Sequence, residues 1–532
     1  AHWVDPSDPL PQDFSFQLFP DDLDRLAPYI EDAMARVPLL QKAGLQKVIN
    51  GPIPYAPDGN PLIGPMPGVP NAFEACVFTF GIAQAGGAGK VLAEWVTQGG
   101  TEWDMWSCDP RRYTAYTDPA YCVDKGMEVY GHEYGIHFPM ARWPAAPDRR
   151  LSPVHERVKA LGGQFAPYNG WERAEWFAEP GDDTGFDAAQ TFSRHGPWEA
   201  RIAAECAAVR DGVGVLDLPG FSRFRLKGPG AAAWLASLCT GGLPRVGRMG
   251  LVYFADPRGR ILTEMSAMRI EEDFFFLITA AVAQWHDGEW LRAHLPEGAA
   301  FTLDDVSDQF SCQIVTGPKS RDLFAGLTDA DLTLPWLSHQ SAQINGTWVQ
   351  LVRVSFAGEL GWEVHYRVAD TPAIYDAILA AGARPFGMRA LNSLRIEKAY
   401  RAWKGDLSTD YTILQGGLER FVKWDKDFIG KAAMLAEKQQ GVTRHFTVLK
   451  VEEGEQDPPY MANILSGDRI VGEVTSAAFG YRVGHTVALA MIRDGHQKPG
   501  TQLQIDVYGT RRAATVLGDG PVWDAANERI KA

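Results

Sequence analysis

The segment Phe356-Ala357-Gly358-Glu359-Leu360-Gly361-Trp362-Glu363 sets a carboxylate between two glycines, directly after the strand-like run Gln350-Leu351-Val352-Arg353-Val354-Ser355. On such a turn Glu359 can accept two parallel N–H bonds from a guanidine-like heterocycle edge, the pattern a pterin ring presents. The same residues also suit a hairpin turn with a solvated glutamate. A second segment, Gly387 to Lys398, has helical spacing, with Leu391, Leu394 and Lys398 on one side and Arg395 four before Ala399. By itself it is an amphipathic helix, and Arg395 beside Glu397 is open to solvation or pairing. A third, Gly81-Ile82-Ala83-Gln84-Ala85-Gly86-Gly87-Ala88-Gly89-Lys90, follows an apolar run and opens an amphipathic stretch through Val91, Leu92, Trp95 and Val96. Glycines at a helix start let bare backbone N–H groups face an electron-rich ligand. No Gly-x-Gly-x-x-Gly fingerprint stands between a strand and a helix in this sequence, so only part of a dinucleotide site is expected.

Holding these groups takes more than one core. At 532 residues the chain suggests three or four domains, and 45% apolar residues with 17 Trp leave ample material to bury. A formal charge of −15 without clustered Lys and Arg excludes a nucleic-acid surface. No apolar run reaches the roughly 18 residues of a membrane span, and nothing near the start resembles a signal peptide. The expectation is a soluble protein of the cytoplasm or of an organellar matrix. Six scattered cysteines form no Cys-x-x-Cys pair and have no nearby His at ligand spacing, so buried reduced thiols and no metal site are expected. His132, His137, His339, His365 and His445 read as surface or core histidines.

Along the chain, residues 21–47 carry helical spacing, 51–70 are a Gly/Pro-rich loop, and about 103–190 are rich in Trp, Tyr, Pro and Arg with weak periodicity. After 195 the pattern is α/β, with strand-like runs at 222–227, 250–255, 261–270 and 274–280 and helix-like runs at 229–239, 282–294 and 373–383. Short β segments at 446–451, 469–476, 485–493, 502–508 and 511–517 predict a small terminal barrel or sandwich.

The 356–363 and 387–398 segments, with Val213 to Leu218, Gly405-Asp406-Leu407, Gly416-Gly417-Leu418 and Val422 to Lys431, resemble the glycine-cleavage aminomethyltransferase family over roughly residues 195–532. The first half resembles the C-terminal part of the dimethylglycine and sarcosine dehydrogenase family. It does so through Asn50-Gly51-Pro52, Pro57 to Gly64, Gly81 to Lys90, Ala93-Glu94-Trp95 and Gly170 to Arg173. These resemblances imply an α+β multidomain chain: residues 1–105 the C-terminal part of an FAD-dependent amine oxidoreductase domain, 106–194 an irregular connecting domain, 195–440 an aminomethyltransferase-like folate-binding domain, and 441–532 a small C-terminal β-barrel.

By that likeness, Gly81, Ile82, Ala83 and Gln84 lie against the isoalloxazine edge of FAD, Glu359 clamps the pterin of tetrahydrofolate, and Arg395 binds or orients the folate. The family's strand Asp after a Gly-Gly turn aligns with Glu264, which implies a catalytic carboxylate near the reactive folate nitrogens. An exposed strand glutamate is the other reading of Glu264, and Leu251 replaces the family's usual Tyr nearby. The implied activity is FAD- and tetrahydrofolate-dependent oxidative N-demethylation of dimethylglycine or sarcosine, with the electron acceptor unassigned. A flavin-independent methyl- or aminomethyltransferase and a non-catalytic folate-binding regulator are the alternatives. The start at Ala1-His2-Trp3 rather than Met suggests a fragment, a processed product or one subunit. A companion chain or N-terminal fragment carrying the nucleotide-binding part of the FAD site is therefore expected.

Overall fold

A computed structural model of the chain describes residues 13–532; Ala1-His2-Trp3 lie outside the described residues. The strands Ser222–Lys227, Met249–Ala255, Ile261–Glu271 and Phe274–Thr279, with Thr302–Asp305, form one antiparallel five-stranded sheet. Alternation sorts its two faces. Phe224, Leu226, Val252, Phe254, Met265, Ala267, Phe275 and Leu277 are buried on one side with Leu235 and Leu238 of the helix Ala231–Leu238 and with Leu291 of the helix Gln284–Ala293. The intervening residues, Leu251, Tyr253, Glu264, Ser266, Met268, Arg223 and Ile278, therefore share the opposite face.

A second sheet has the order His339–Ile344, Thr347–Val352, Gly361–Arg367, Phe310–Thr316, Gly214–Asp217, Arg384–Pro385, with only the last pair parallel. Val215, Val315, Val349, Leu351, Trp362, Val364 and Tyr366 bury one of its faces against Ile374, Tyr375 and Ile378 of the helix Thr371–Ala380. The other face meets the first sheet: Met249, Met268 and Ile278 cluster with Val352, and Phe276 packs edge-on against Phe310 at 5.5 Å. The two sheets thus pack face to face through these residues.

The C-terminal unit is a closed six-stranded barrel, Arg444–Val451, His485–Arg493, Arg469–Gly480, Asn463–Ser466, Gln502–Val507 and Thr510–Gly518. Closure removes the exposed edges that an open sheet of this size would present. Near the other end, the helix Gly81–Gln98 packs Ala88 and Val91 against Ile63 of the hairpin Leu62–Pro65/Phe73–Cys76. The helix Leu23–Arg36 buries no residue. Among the described residues no helix is long and apolar enough to cross a membrane.

One boundary differs from expectation. Val154, Val158 and Ala174, from the helix His155–Ala160 and the hairpin Gly163–Tyr168/Trp171–Phe177, pack in the same core as Val215, Val349 and Trp362. The folded unit expected to begin at 195 therefore reaches back to about 154. Its hairpin escaped the sequence pattern because its buried positions are charged: Arg173 donates to the Pro219 carbonyl, and Glu175 accepts from Arg142 and Arg389.

The second sheet also buries a carboxyl group. Asp217 pairs across from Gln313, and neither Asp217 Oδ1 nor the two Gln313 amide atoms have a protein partner. A space of about 10 Å³ beside Asp217 and Ser152 has room for one water. Burial pushes Asp217 up to about 6, above the ~3.9 of an unfolded Asp. The raised folded value places its stabilising contribution fully below pH ~4, with loss as pH rises through 6, by up to about 3 kcal/mol. Asp217→Asn will therefore gain on the parent at pH 8 but not at pH 4, as read by urea denaturation; an equal difference at both pH values would refute the assignment.

Candidate functional site

The facing sides of the two sheets carry two carboxylates. Glu264 lies on the strand Ile261–Glu271 directly across from Tyr253. It keeps partial solvent access although protein surrounds it closely. Burial raises its pKa, while contact with Tyr253 and the positive charge of Arg401 pull the other way. Burial and the neighbouring Glu264 together hold the Tyr253 hydroxyl well above its usual range. Behind Glu264, buried Asp287 accepts from Thr263 Oγ1 at 2.9 Å and Thr279 Oγ1 at 2.7 Å, which ties the strand that carries Glu264 to its neighbour Phe274–Thr279.

The second carboxylate is Glu363. Trp362, Val364 and Tyr366 point into the core, so alternation turns Glu363 and His365 to the other face. His365 Nε2 lies 3.0 Å from Glu363 Oε2 and 4.0 Å from Cys312 Sγ, and the Glu363 side chain stays 15% exposed. Burial lowers the His365 pKa and raises that of the Cys312 thiol, so both are neutral at pH 7. Cys312, Glu363 and His365 thus converge to ligand-like distances, although in sequence no Cys has a His at ligand spacing. Strand register, not chain spacing, brings them together. The guanidinium of Arg223 acts on all three side chains and disfavours a divalent cation there.

Arg223 links the two carboxylates geometrically. It stands across from Ile278, which stands across from Ser266, two residues along from Glu264. At about 4.8 Å per strand and 3.4 Å per residue, Arg223 and Glu264 are roughly 12 Å apart along one face.

The structure moves two expected site residues away from these facing sides. Glu359 is fully buried, and its oxygens are occupied: Oε1 accepts from Arg482 Nη1 at 2.8 Å and Trp523 Nε1 at 3.0 Å, and Oε2 accepts from Arg529 Nε at 2.6 Å. Arg482 also donates its backbone N–H to Glu397 at 2.8 Å. Glu359 is therefore the hub that fastens the turn to the barrel unit, and in this arrangement no oxygen is left for a ligand. Arg395 is likewise engaged, donating to Asp406 at 2.7 Å, to the Tyr400 carbonyl at 3.0 Å, to Ser476 at 2.9 Å and to Asn392 at 2.9 Å. It joins the helix Met388–Glu397 to the strand Arg469–Gly480. Both are positioning groups in this structure. Glu363 carries its own signal in the sequence, a charged residue between apolar Trp362 and Val364.

Three family models match consecutive parts of the chain: the FAD dependent oxidoreductase central domain over residues 98–152, the GCVT N-terminal domain over 154–426 and the glycine cleavage T-protein C-terminal barrel domain over 444–524. The chain belongs to the glycine-cleavage T-protein family. An aminomethyltransferase of Saccharopolyspora erythraea is 30% identical over 68% of this chain and 95% of its own length. A mitochondrial dimethylglycine dehydrogenase of Mus musculus is 34% identical over 97% of this chain and 60% of its own length, so the chain spans well under the full relative. A mitochondrial sarcosine dehydrogenase of Homo sapiens is 30% identical over 90% and 58%. The solved aminomethyltransferase of Bartonella henselae shares the fold, with a TM-score of 0.60 at 21% identity over 69% of this chain and 97% of that one. The resemblances to both families and the three-part α+β architecture are thus borne out.

The T-protein unit is docked onto the segment matched by the FAD-domain model. Asp104 accepts from Lys404 Nζ at 2.7 Å, Thr101 accepts from Arg258 at 2.8 Å, and Trp106 packs edge-on against His286 and Trp403. Just before that segment, Gly81, Ile82 and Ala83 open the helix Gly81–Gln98, with Ile82 99% exposed and Gln84 half-buried. A Cβ added at Gly86, Gly87 or Gly89 would meet nothing within 4 Å. This helix start offers free N–H groups and a bare face, which fits the edge of a bound FAD; no fuller cradle for the cofactor is seen in the described residues.

Proposed function

We propose that the sheet faces bearing Glu363 and Glu264 receive tetrahydrofolate and that the chain serves FAD-dependent oxidative N-demethylation of dimethylglycine or sarcosine. The observation that carries this reading is the pair of carboxylates on the facing sheets, one half-open beside neutral His365 and one held with a raised pKa. Glu363, whose Oε2 faces His365 while the side chain retains access, takes the guanidine-like edge of the pterin, the role that sequence spacing gave to Glu359. Glu264, at the far end of the same face, moves a proton at the reacting folate nitrogens. Tyr253 and the Asp287-braced strands hold it in place.

FAD, when bound, supplies the hydride acceptor that turns the methylated amine into an iminium. Gly81 to Gln84 lie at its edge, and the apolar Ile82 face is covered by a companion chain or N-terminal segment that carries the nucleotide-binding part. The mouse and human relatives named above are mitochondrial, and this reading places the protein in an aqueous compartment, an organellar matrix or the cytoplasm.

The test is product partition. With dimethylglycine and tetrahydrofolate, the flavin-loaded protein is expected to return the oxidised methyl carbon mainly as 5,10-methylene-tetrahydrofolate. Release of all of it as formaldehyde, unchanged by tetrahydrofolate, would remove the folate half of the reading.

A further inference from the structure

Arg401 is the cation near Glu264 that has nothing to do. It follows the helix Met388–Glu397 and is half-buried, and its guanidinium stacks over the Phe446 ring at 3.6 Å from the centroid. Among the described residues it makes no hydrogen bond or ion pair at bonding distance, its Nε is buried without a partner, and Glu264 and Asp406 act on its charge only from further away. Its Nη2 lies 3.1 Å from where a Cβ on Gly417 would stand, at a residue with φ of 65°, so the glycine leaves the space that the guanidinium fills. The nearest acidic neighbour on its own loop, Asp406, is already committed to Arg395, Ser476 and the Ala402 N–H. Phe446 and Tyr253 belong to one apolar cluster, and Tyr253 is the residue across from Glu264, which brings Arg401 to the Glu264 end of the site.

A half-buried guanidinium without a hydrogen-bonded anion is costly unless a ligand completes it. We propose that Arg401 forms a carboxylate-binding subsite beside Glu264, taking the carboxylate of the methylated amino acid while its one-carbon unit is handed to tetrahydrofolate. This rests on the folate reading above and gives it a substrate class: amines that carry a carboxylate. In the transfer, both bonds from the iminium carbon to the amine nitrogen are replaced by bonds to N5 and N10 of tetrahydrofolate. N5 and N10 each give up one hydrogen, and the amine leaves with both as an ammonium group; no electrons enter or leave. The guanidinium holds the leaving amino acid by its carboxylate throughout, with planar bidentate geometry. The carboxylates of the folate's glutamyl tail share this chemistry, and the experiment separates the two.

In the flavin-loaded protein, Arg401→Gln is expected to lower the ratio of 5,10-methylene-tetrahydrofolate to formaldehyde formed from dimethylglycine about ten-fold or more, the scale of one charge-assisted contact. Tetrahydrofolate affinity, measured by titration, is expected to stay within about two-fold of the parent. Free formaldehyde, which has no carboxylate, should be condensed with tetrahydrofolate by variant and parent alike. Arg401→Lys should show a partial loss of the ratio and serves as the test if the Gln variant does not fold. An unchanged ratio overturns the subsite, and a loss of tetrahydrofolate affinity equal to the loss of ratio reassigns Arg401 to the folate tail. A parent that makes no methylene product overturns the folate reading itself, and the subsite with it.

Discussion

Glu359→Gln is expected to lower folding stability by about 1–3 kcal/mol, because the buried Arg482 guanidinium loses one of its two carboxylate partners and keeps only Glu397. The amide leaves one acceptor oxygen for the donors Arg482, Trp523 and Arg529, so the barrel unit and the segment after it should loosen together. Urea denaturation followed by tryptophan fluorescence reports the change, and limited proteolysis reports where the chain opens. A Glu359→Gln protein of parental stability that binds tetrahydrofolate poorly would show instead that Glu359 is a ligand clamp, and that the arrangement seen here gives way when folate enters.

The second large effect is at Glu264. Glu264→Gln keeps the shape and removes the proton acceptor, and general acid–base groups contribute about 10²–10⁴-fold. The ratio of methylene-tetrahydrofolate to formaldehyde should therefore collapse by about two orders of magnitude or more. Burial raises the Glu264 pKa despite the opposing contact with Tyr253 and charge of Arg401. Capture by the parent should accordingly rise with pH through a midpoint above the ~4.3 of an ordinary Glu as the carboxylate ionises. A ratio that is flat across that range in the parent, or equal in the Gln variant, would leave Glu264 as a half-exposed strand residue.

Much of the architecture was legible. The runs at 222–227, 250–255, 261–270 and 274–280 become the strands Ser222–Lys227, Met249–Ala255, Ile261–Glu271 and Phe274–Thr279, because one buried face writes a period-2 pattern into each. Five barrel segments were readable for the same reason. The strand Asn463–Ser466 was not, at four residues being too short to show alternation. The hairpin at 163–177 was hidden by Glu172, Arg173 and Glu175, whose burial is made tolerable by partners far away in sequence.

The site was half legible for a related reason. Glu264 was expected from a family pattern, the register sets it on the sheet face with Tyr253 and Ser266, and its role is the one proposed above. Glu359 and Arg395 stand in the most conspicuous segments, yet both are consumed by partners between 3 and 170 residues away, several of them on the barrel, which spacing alone does not reveal. Glu363, Arg401 and Arg223 matter through pairings across strands and units. A half-buried arginine with no hydrogen-bonded anion is visible only when its surroundings are.

The central claim is that tetrahydrofolate enters between the two sheets and is held by Glu363 rather than Glu359. The direct measurement is an anaerobic calorimetric titration of the chain with tetrahydrofolate, comparing parent, Glu363→Gln and Glu264→Gln. The account predicts one-to-one binding, an affinity reduced about ten-fold or more in Glu363→Gln, as for the loss of a charge-assisted pair, and binding nearly unchanged in Glu264→Gln. No binding by the parent, or binding that Glu363→Gln leaves intact, would contradict it.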